Sequence, residues 1–303
     1  MKIFITGSTG LVGTALVGDL KQAGHTVCRL VRPATDATAL RGADGFDVKW
    51  DPATGELGAA AVGADAVVNL AGASIAGGRW TPQRKELLRS SRVDSTRALV
   101  KALSGMAVRP RVIVSASATG YYGSRGDELL DESSASGNDF LSGIARDWEA
   151  EARKAEVLGI RVVLARFGVI LAKTGGALPQ MMRPFQFGVG GRIGSGQQWM
   201  SWIMLEDAVS VLRLCLENGA ARGPVNVVSP QPVRNTEFTA ALAKALERPA
   251  LFPAPAFALR LVLGEMADAL LLSSQRAVPC QLERLGYRFR HSELAAALAS
   301  VLA

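Results

Sequence analysis

The stretch "MKIFITGSTGLVGTALVGDLKQAG", residues 1–24, decides the fold. An apolar run, Ile3 to Ile5, stops abruptly at three glycines, Gly7, Gly10 and Gly13, and an amphipathic run begins at once. A strand, a glycine turn and a helix in that order leave the first N–H groups of the helix unpaired and aimed at the turn. Together with the helix dipole they make an anion site. In the turn, formed by Gly7, Ser8, Thr9, Gly10, Leu11 and Val12, Gly7 permits the tight bend and Gly10 lets the backbone approach a pyrophosphate. Gly13 then allows helix and strand to pack closely. The spacing is G-x-x-G-x-x-G, offset from G-x-G-x-x-G, and three glycines in a turn can also be purely structural. Their place between a strand and a helix favours the phosphate reading.

Working outward, short β-branched runs alternate with helical patterns through the first half. Strands are expected at 2–6, 26–31, 66–70, 111–115 and 161–166, and helices near 11–23, 81–104 and 140–158. A helix at 205–218 and a strand at 224–228 follow. This alternation predicts an α/β fold, a doubly wound parallel sheet of Rossmann type. From about residue 235 the pattern turns helical: Asn235 is a candidate cap for Phe238, Leu242 and Leu246, and "HSELAAALASVL" repeats the device. The reading divides the chain into a dinucleotide-binding domain, 1–172 with 204–230, and a smaller, mostly helical substrate domain, 173–203 with 231–303.

Composition narrows the function. With 49% hydrophobic and 20% charged residues the chain is that of a globular protein, and its +7 charge is scattered, without the basic stripe of a nucleic-acid footprint. The charge suits anionic ligands such as phosphates. Cys28, Cys215 and Cys280 lie far apart and suggest neither a disulfide framework nor a zinc site, and no acidic cluster suggests a metal. Met1 runs straight into a strand, so no secretory leader is expected. The apolar stretch 254–272 is broken by Arg260, Glu265 and Asp268, which argues against a membrane span. A cytoplasmic, reduced protein is expected.

The end of the second strand decides the cofactor. A carboxylate there would accept from the ribose 2′-hydroxyl of NAD, whereas arginine accommodates the 2′-phosphate of NADP. The sequence is "VCRLVRP", with Arg29 and Arg32 and no acid before Asp36, so NADP(H) is favoured over NAD(H). Either arginine could instead be an ordinary solvated surface residue.

With "TGSTGLVG", "VVNLAGA" (67–73), "VSASATGYYG" (114–123) and "ARFGVIL" (165–171) in order, the chain resembles the extended short-chain dehydrogenase/reductase superfamily from end to end. It is most similar to an atypical group called epimerase-like or nucleoside-diphosphate-sugar epimerase, some members of which carry a cell-division-inhibitor name. "KWDPATGEL" (49–57) and "WMSWIMLEDAV" (199–209) are shared features of that group. The resemblance implies that Asp51 contacts the adenine amine and that Leu70, Ala71 and Gly72 pass under the cofactor. It also implies that Ser115 and Ala116 face the nicotinamide and that Arg166, Gly168 and Val169 lie beside the carboxamide. Asp51 could equally be an Asp-Pro turn.

Related dehydrogenases use a Tyr-x-x-x-Lys pair on a helix, the lysine lowering the tyrosine pKa for proton exchange. The corresponding helix here, "DFLSGIARDWEAEARKAE" (139–156), contains no tyrosine, and its first lysine is Lys154. Anchored on Glu149, the resemblance puts Leu141 and Ala145 where the pair would be. Ser117 resembles the family's active-site serine, and Tyr121 and Tyr122 follow it as candidate acid/base groups or, alternatively, as packing or stacking residues. His25 and His291 are expected to have surface roles.

The segment 175–203 corresponds in the family to the crossing into the substrate domain, and supplies Arg183, Gln198, Trp199 and Trp202 as candidate substrate contacts. Trp80 and Arg84 are candidates to approach the same cleft. An arginine pairs with a phosphate or carboxylate, and an aromatic ring stacks on a planar ligand; the alternative is a buried apolar linker with exposed arginines. Residues 84–103 resemble the helix that pairs in family homodimers, with weak support from their own pattern. Two functions follow: an NADP(H)-dependent oxidoreductase or epimerase-like enzyme on a small organic substrate, or an NADP(H)-binding regulatory protein without turnover.

Overall fold

The apolar run after Met1 is strand β1 (Lys2–Thr6), with Ile3, Phe4 and Ile5 wholly buried. The computed structural model of the chain describes residues 1–32, 46–57 and 63–302. Asp36, the first acid after the second strand, lies outside the described residues. In chain order the strands continue with β2 (Thr26–Val31), β3 (Phe46–Asp51), β4 (Glu56–Leu57), β5 (Ala66–Asn69) and β6 (Val112–Ala118). Then come β7 (Leu129–Leu130), β8 (Arg161–Phe167), β9 (Val169–Leu171), β10 (Trp199–Met200) and β11 (Trp202–Met204). Last are β12 (Gly223–Val227), β13 (Val233–Arg234) and β14 (Arg276–Ala277).

Eight of these form one sheet in the order β12-β8-β6-β5-β1-β2-β3-β4, with every pairing parallel except β3 with β4. Parallel strands covered on both faces read as continuous apolar runs, which is why β1, β5 and β8 stood out in the sequence. Helix α1 (Leu11–Gln22) and α6 (Leu205–Glu217) cover one face, burying Leu16, Leu20, Leu212 and Leu216 against Ile3, Ile5 and Val114. On the other face α3 (Val93–Ser104) buries Leu99 and Leu103 against Phe4, Val67 and Ile113. A leucine sealed in this way contributes roughly 2 kcal/mol. The chain winds outward in both directions from β1, so a crevice opens beside its carboxyl end, level with Leu30 on β2 and Asn69 on β5.

A third core, with Leu171, Leu178, Phe185, Trp202, Phe238, Leu242 and Leu298, ties β9 and β11 to α5 (Leu178–Gln186), α7 (Asn235–Ala245) and α10 (Leu294–Leu302). Between α7 and α10 lie α8 (Ala256–Leu263) and α9 (Cys280–Arg284). No helix among the described residues is long and apolar enough to cross a membrane.

The helix expected over 81–104 is divided into α2 (Pro82–Ser90) and α3 by a turn at Ser91 and Arg92. The side chains there bond backbone instead of facing outward. Ser91 Oγ accepts from Ala73 N, and Arg92 donates to the carbonyls of Ala73 and Leu88. Such side-chain bonds offer the backbone an alternative to a continuing helix. α4 (Phe140–Arg153), capped by the Asp139 carboxylate on Ser142 N, gives way to a 3-10 turn at Lys154–Leu158 and stops at left-handed Gly159.

Candidate active site

Gly7 has φ +67°, and a Cβ there would stand 2.6 Å from the Leu70 carbonyl carbon. A Cβ at Gly13 would stand 2.2 Å from the Gly7 oxygen. These two glycines bring β1, the start of α1 and the end of β5 into contact. Gly10 differs, since its Cβ would meet only the Gly7 oxygen, at 3.4 Å. It begins α1 in an extended conformation and no side chain caps the helix, so the first-turn N–H groups face the crevice. Thr9 and Gly10 are exposed, Ser8 is buried, and Leu11 and Val12 are half-buried. The loop after β9 closes over them: a Cβ at Gly176 would come within 2.9 Å of a Leu11 methyl.

A buried polar lattice fixes the floor beside the turn. Thr6 Oγ1 donates to Asn69 Oδ1 at 2.7 Å and accepts from the N–H groups of Leu70 and Ala71. The Asn69 amide donates to Thr96 Oγ1 and Ser115 Oγ, and Trp148 Nε1 also donates to Thr96. Ser115 therefore serves this lattice from a wholly buried position, while its neighbour Ala116 packs on Val93 and Trp148.

At the ends of β6 and β8 lies a charged cluster. Arg166 and Glu149, with side chains only 2% and 4% exposed, pair through Nε–Oε1 at 2.7 Å and Nη2–Oε2 at 2.8 Å. Ser117 Oγ donates to Glu149 Oε1 at 2.7 Å. Tyr122, wholly buried, donates to Asn226 Oδ1 at 2.6 Å and accepts from Arg166. Burial pushes its phenol up to about 12, against the partial relief given by Arg166, so it stays neutral at ordinary pH. Arg166 is thus paired with Glu149, Tyr122 takes the packed, hydrogen-bonded alternative, and the Ser117 hydroxyl is directed to Glu149. Tyr121 differs. Its ring lies under the Arg166 guanidinium at 3.6 Å, and its hydroxyl has no partner among the described residues.

Beside this cluster a small apolar cleft is walled by Leu141, Ile144, Ala145 and Trp148 of α4, with Leu88, Ile75 and Arg92 opposite. None of the five substrate candidates lines it. Trp80 comes nearest in the chain's bonding, donating Nε1 to Ile75 O and standing edge-on to Phe140 at 5.3 Å. Trp202 is wholly buried with Nε1 on Gln231 O, and the buried Gln198 amide donates to the carbonyls of Ile193 and Leu271, so both are structural. Trp199 is held between Arg234 and Arg276 and donates to Asp127 Oδ1, and Arg183 is exposed on α5.

Of the two arginines near the end of β2, Arg29 is buried and bidentate with Asp47, at 2.7 and 2.9 Å, so its guanidinium is already paired. Arg32 is exposed just past the strand. Asp51 closes β3 and accepts from Ala53 N, a local turn at the strand's carboxyl end. Leu70 is half-buried and Gly72 exposed, at the end of β5. Gly168 is needed by packing, because its Cβ would be 2.5 Å from Ser201 O, and Val169 pairs with Trp202 across β9 and β11.

The pattern of the NAD dependent epimerase/dehydratase family matches residues 3–228. The chain belongs to this family. Residues 254–301 match a domain of unknown function, DUF1731, so the epimerase-family part ends near β12 and a distinct C-terminal element follows. The epimerase family protein Mb2239 of Mycobacterium bovis is 43% identical over 297 residues, covering 98% of this chain and 96% of that protein. The chloroplastic epimerase family protein SDR39U1 homolog of Arabidopsis thaliana is 38% identical, covering 100% of this chain and 87% of its own. Among solved structures, human epimerase family protein SDR39U1 with NADPH superposes with a TM-score of 0.88 at 32% identity, over 100% of this chain and 99% of that one. Epimerase-family membership was legible from the motifs. The Thr6–Asn69–Thr96 lattice and Arg92 were not, because each bond in them joins residues far apart in sequence or across a helix break.

Proposed function

We propose that the chain binds NADP(H) across the crevice beside β1 and serves hydride transfer with a small organic substrate held in the apolar cleft. One observation carries this: the uncapped start of α1 opens beside the carboxyl end of β1 while Arg32 stands exposed at the end of β2. A pyrophosphate fits the first, and a guanidinium fork fits the 2′-phosphate. The likeness to a human relative solved with NADPH supports the choice. Hydride transfer is the chemistry the nicotinamide supplies when bound; the chain's part is to orient the partners, exclude water and move a proton.

For that proton Tyr121 is the phenol left with an open hydroxyl, since Tyr122 and Ser117 are committed. Leu141 and Ala145 occupy the positions where the resemblance puts the tyrosine and lysine, and they give the cleft its apolar wall. The same two residues favour a second reading, an NADP(H)-binding regulatory protein that does not turn over. A dimer through residues 84–103 would join the exposed Glu86, Leu87, Asp94, Arg97 and Lys101, a mostly charged face. The cytoplasm, with its NADP(H) pool, is the proposed compartment.

Calorimetric titration tests the cofactor. NADPH is expected to bind about 30-fold more tightly than NADH, the worth of one charge-assisted arginine–phosphate contact. Arg32→Ala should erase that preference and leave NADH affinity as it was. Equal affinity for the two cofactors in the unaltered protein would remove the reading.

A further inference from the structure

The C-terminal element sends one extended stretch, "SSQRAVP" (273–279), back onto the epimerase-family part of the chain. Side chains alternate along extended backbone, so Ser273 and Gln275 share a side, where Ser273 Oγ accepts from the Gln275 amide, and Ser274 is left to the opposite side. Ser274 is buried. Its Oγ donates to Gly126 O at 2.7 Å and accepts from Trp199 N at 3.0 Å, while its N–H donates to Ser124 Oγ and its carbonyl accepts from Arg125 N. Further on, β14 pairs with β7, and Ala277 packs against Tyr122 and Leu130. Gln275 stands between these contacts with both backbone groups fixed: its N–H donates to Trp199 O at 3.1 Å and its carbonyl accepts from Ser201 Oγ at 2.8 Å. That aims its side chain at one target, and Oε1 accepts from Thr119 Oγ1 at 2.8 Å.

Thr119 opens the 3-10 turn Thr119–Tyr122, which ends β6 and carries Tyr121. A single 3-10 turn has poor hydrogen-bond geometry of its own, and Gly120 has no side chain with which to hold it. Tyr121 is therefore placed from outside. Gly137 N donates to its carbonyl at 2.9 Å, and the Thr119–Gln275 bond fixes the backbone ahead of it. Thr119 is buried, so its hydroxyl has no water to turn to if that acceptor is removed. We infer that Gln275 is a positioning residue of the candidate active site, setting through Thr119 where the Tyr121 ring stands on the Arg166 guanidinium. The inference rests on the proposed function only in giving Tyr121 a proton to move; the placement of the ring does not need the cofactor. Glutamine suits the post because its amide accepts from Thr119 and donates to Ser273 at once, without adding a charge. The C-terminal element thereby acquires a use: one short stretch of it holds both the turn that carries Tyr121 and the backbone of Trp199.

NMR of the full chain with ring-labelled tyrosine tests this, with and without NADPH. Tyr121, Tyr122 and Tyr287 are the three tyrosines of the chain, and their ring signals are assigned with Tyr121→Phe, Tyr122→Phe and Tyr287→Phe. The unaltered protein is expected to show one sharp set of Tyr121 signals with a nuclear Overhauser effect to the Arg166 side chain, whose guanidinium lies 3.6 Å from the ring. Thr119→Val and Gln275→Ala should each shift the Tyr121 signals and abolish that effect, while Thr119→Ser, which keeps the hydroxyl, should retain both. Tyr287 bonds Asp207 and is the reference: its signals should stay in place, and NADPH affinity should be unchanged in all three variants. A general loosening of the fold would move Tyr287 as well. Tyr121 signals that stay in place in both Thr119→Val and Gln275→Ala would overturn the inference, and so would a shift of Tyr121 no larger than that of Tyr287. If Gln275→Ala does not fold, the contrast of Thr119→Val with Thr119→Ser decides alone. Failure of NADPH to bind the unaltered protein would sink the cofactor reading and leave the tyrosine comparison to decide the placement of the ring.

Discussion

Gly13→Ala is expected to lower the melting temperature by roughly 10 °C, corresponding to about 3 kcal/mol or more for a chain of this size. The added methyl would lie 2.2 Å from the Gly7 oxygen and 2.8 Å from the Ser8 Cα, both backbone atoms that cannot swing aside. Gly7→Ala should be at least as damaging, because it adds a left-handed φ of +67° to a 2.6 Å clash with Leu70. Gly10→Ala is the contrasting case. Its methyl meets the Gly7 oxygen at 3.4 Å and otherwise points to the crevice, so thermal unfolding should be nearly unchanged while NADPH affinity falls about tenfold or more. Circular-dichroism melts and calorimetric titrations on the three variants separate the glycines that build the turn from the one that admits a pyrophosphate. If Gly13→Ala melts like the unaltered protein, the close helix–strand contact is not what holds the turn. If Gly10→Ala binds NADPH normally, no pyrophosphate passes there.

Arg166→Met is expected to cost about 3–5 kcal/mol in urea unfolding, since it leaves the buried Glu149 carboxylate with only the Ser117 hydroxyl as partner and removes a donor from Tyr122. The double variant Arg166→Met with Glu149→Leu should be distinctly more stable than Arg166→Met alone, because it removes the stranded charge together with its partner. A double variant less stable than either single one would mean that the two losses simply add and that removing Glu149 relieved no stranded charge. It would also mean that the burial cost assumed here is wrong.

Much of this was open to a reader of the sequence. The parallel sheet follows from apolar runs bounded by turns, and β1 and β2 begin and end where their β-branched runs do. β3 was not among the expected strands, although its "FDVKWD" alternates and the structure buries Val48 and Trp50 while exposing Asp47 and Lys49. An alternation count would have found it. The helix break at Ser91 and Arg92 had no such signal, since it depends on the Ala73 backbone, eighteen and nineteen residues earlier. In the candidate site the glycine turn was legible because its chemistry lies in contiguous backbone. The side-chain roles were not. Whether Arg166 faces a ligand or Glu149, and whether Tyr122 faces a cleft or Asn226, is set by packing between strands that sequence order does not bring together.

A crystal structure of the chain with NADPH tests the central claim most directly. The account predicts the pyrophosphate on the N–H groups of Leu11 and Val12 at the start of α1, the 2′-phosphate on Arg32, and the nicotinamide directed to the cleft along the Leu141–Ala145 wall. A cofactor bound with its phosphates away from the Gly7–Gly13 turn, or with its nicotinamide turned from that cleft, would contradict it.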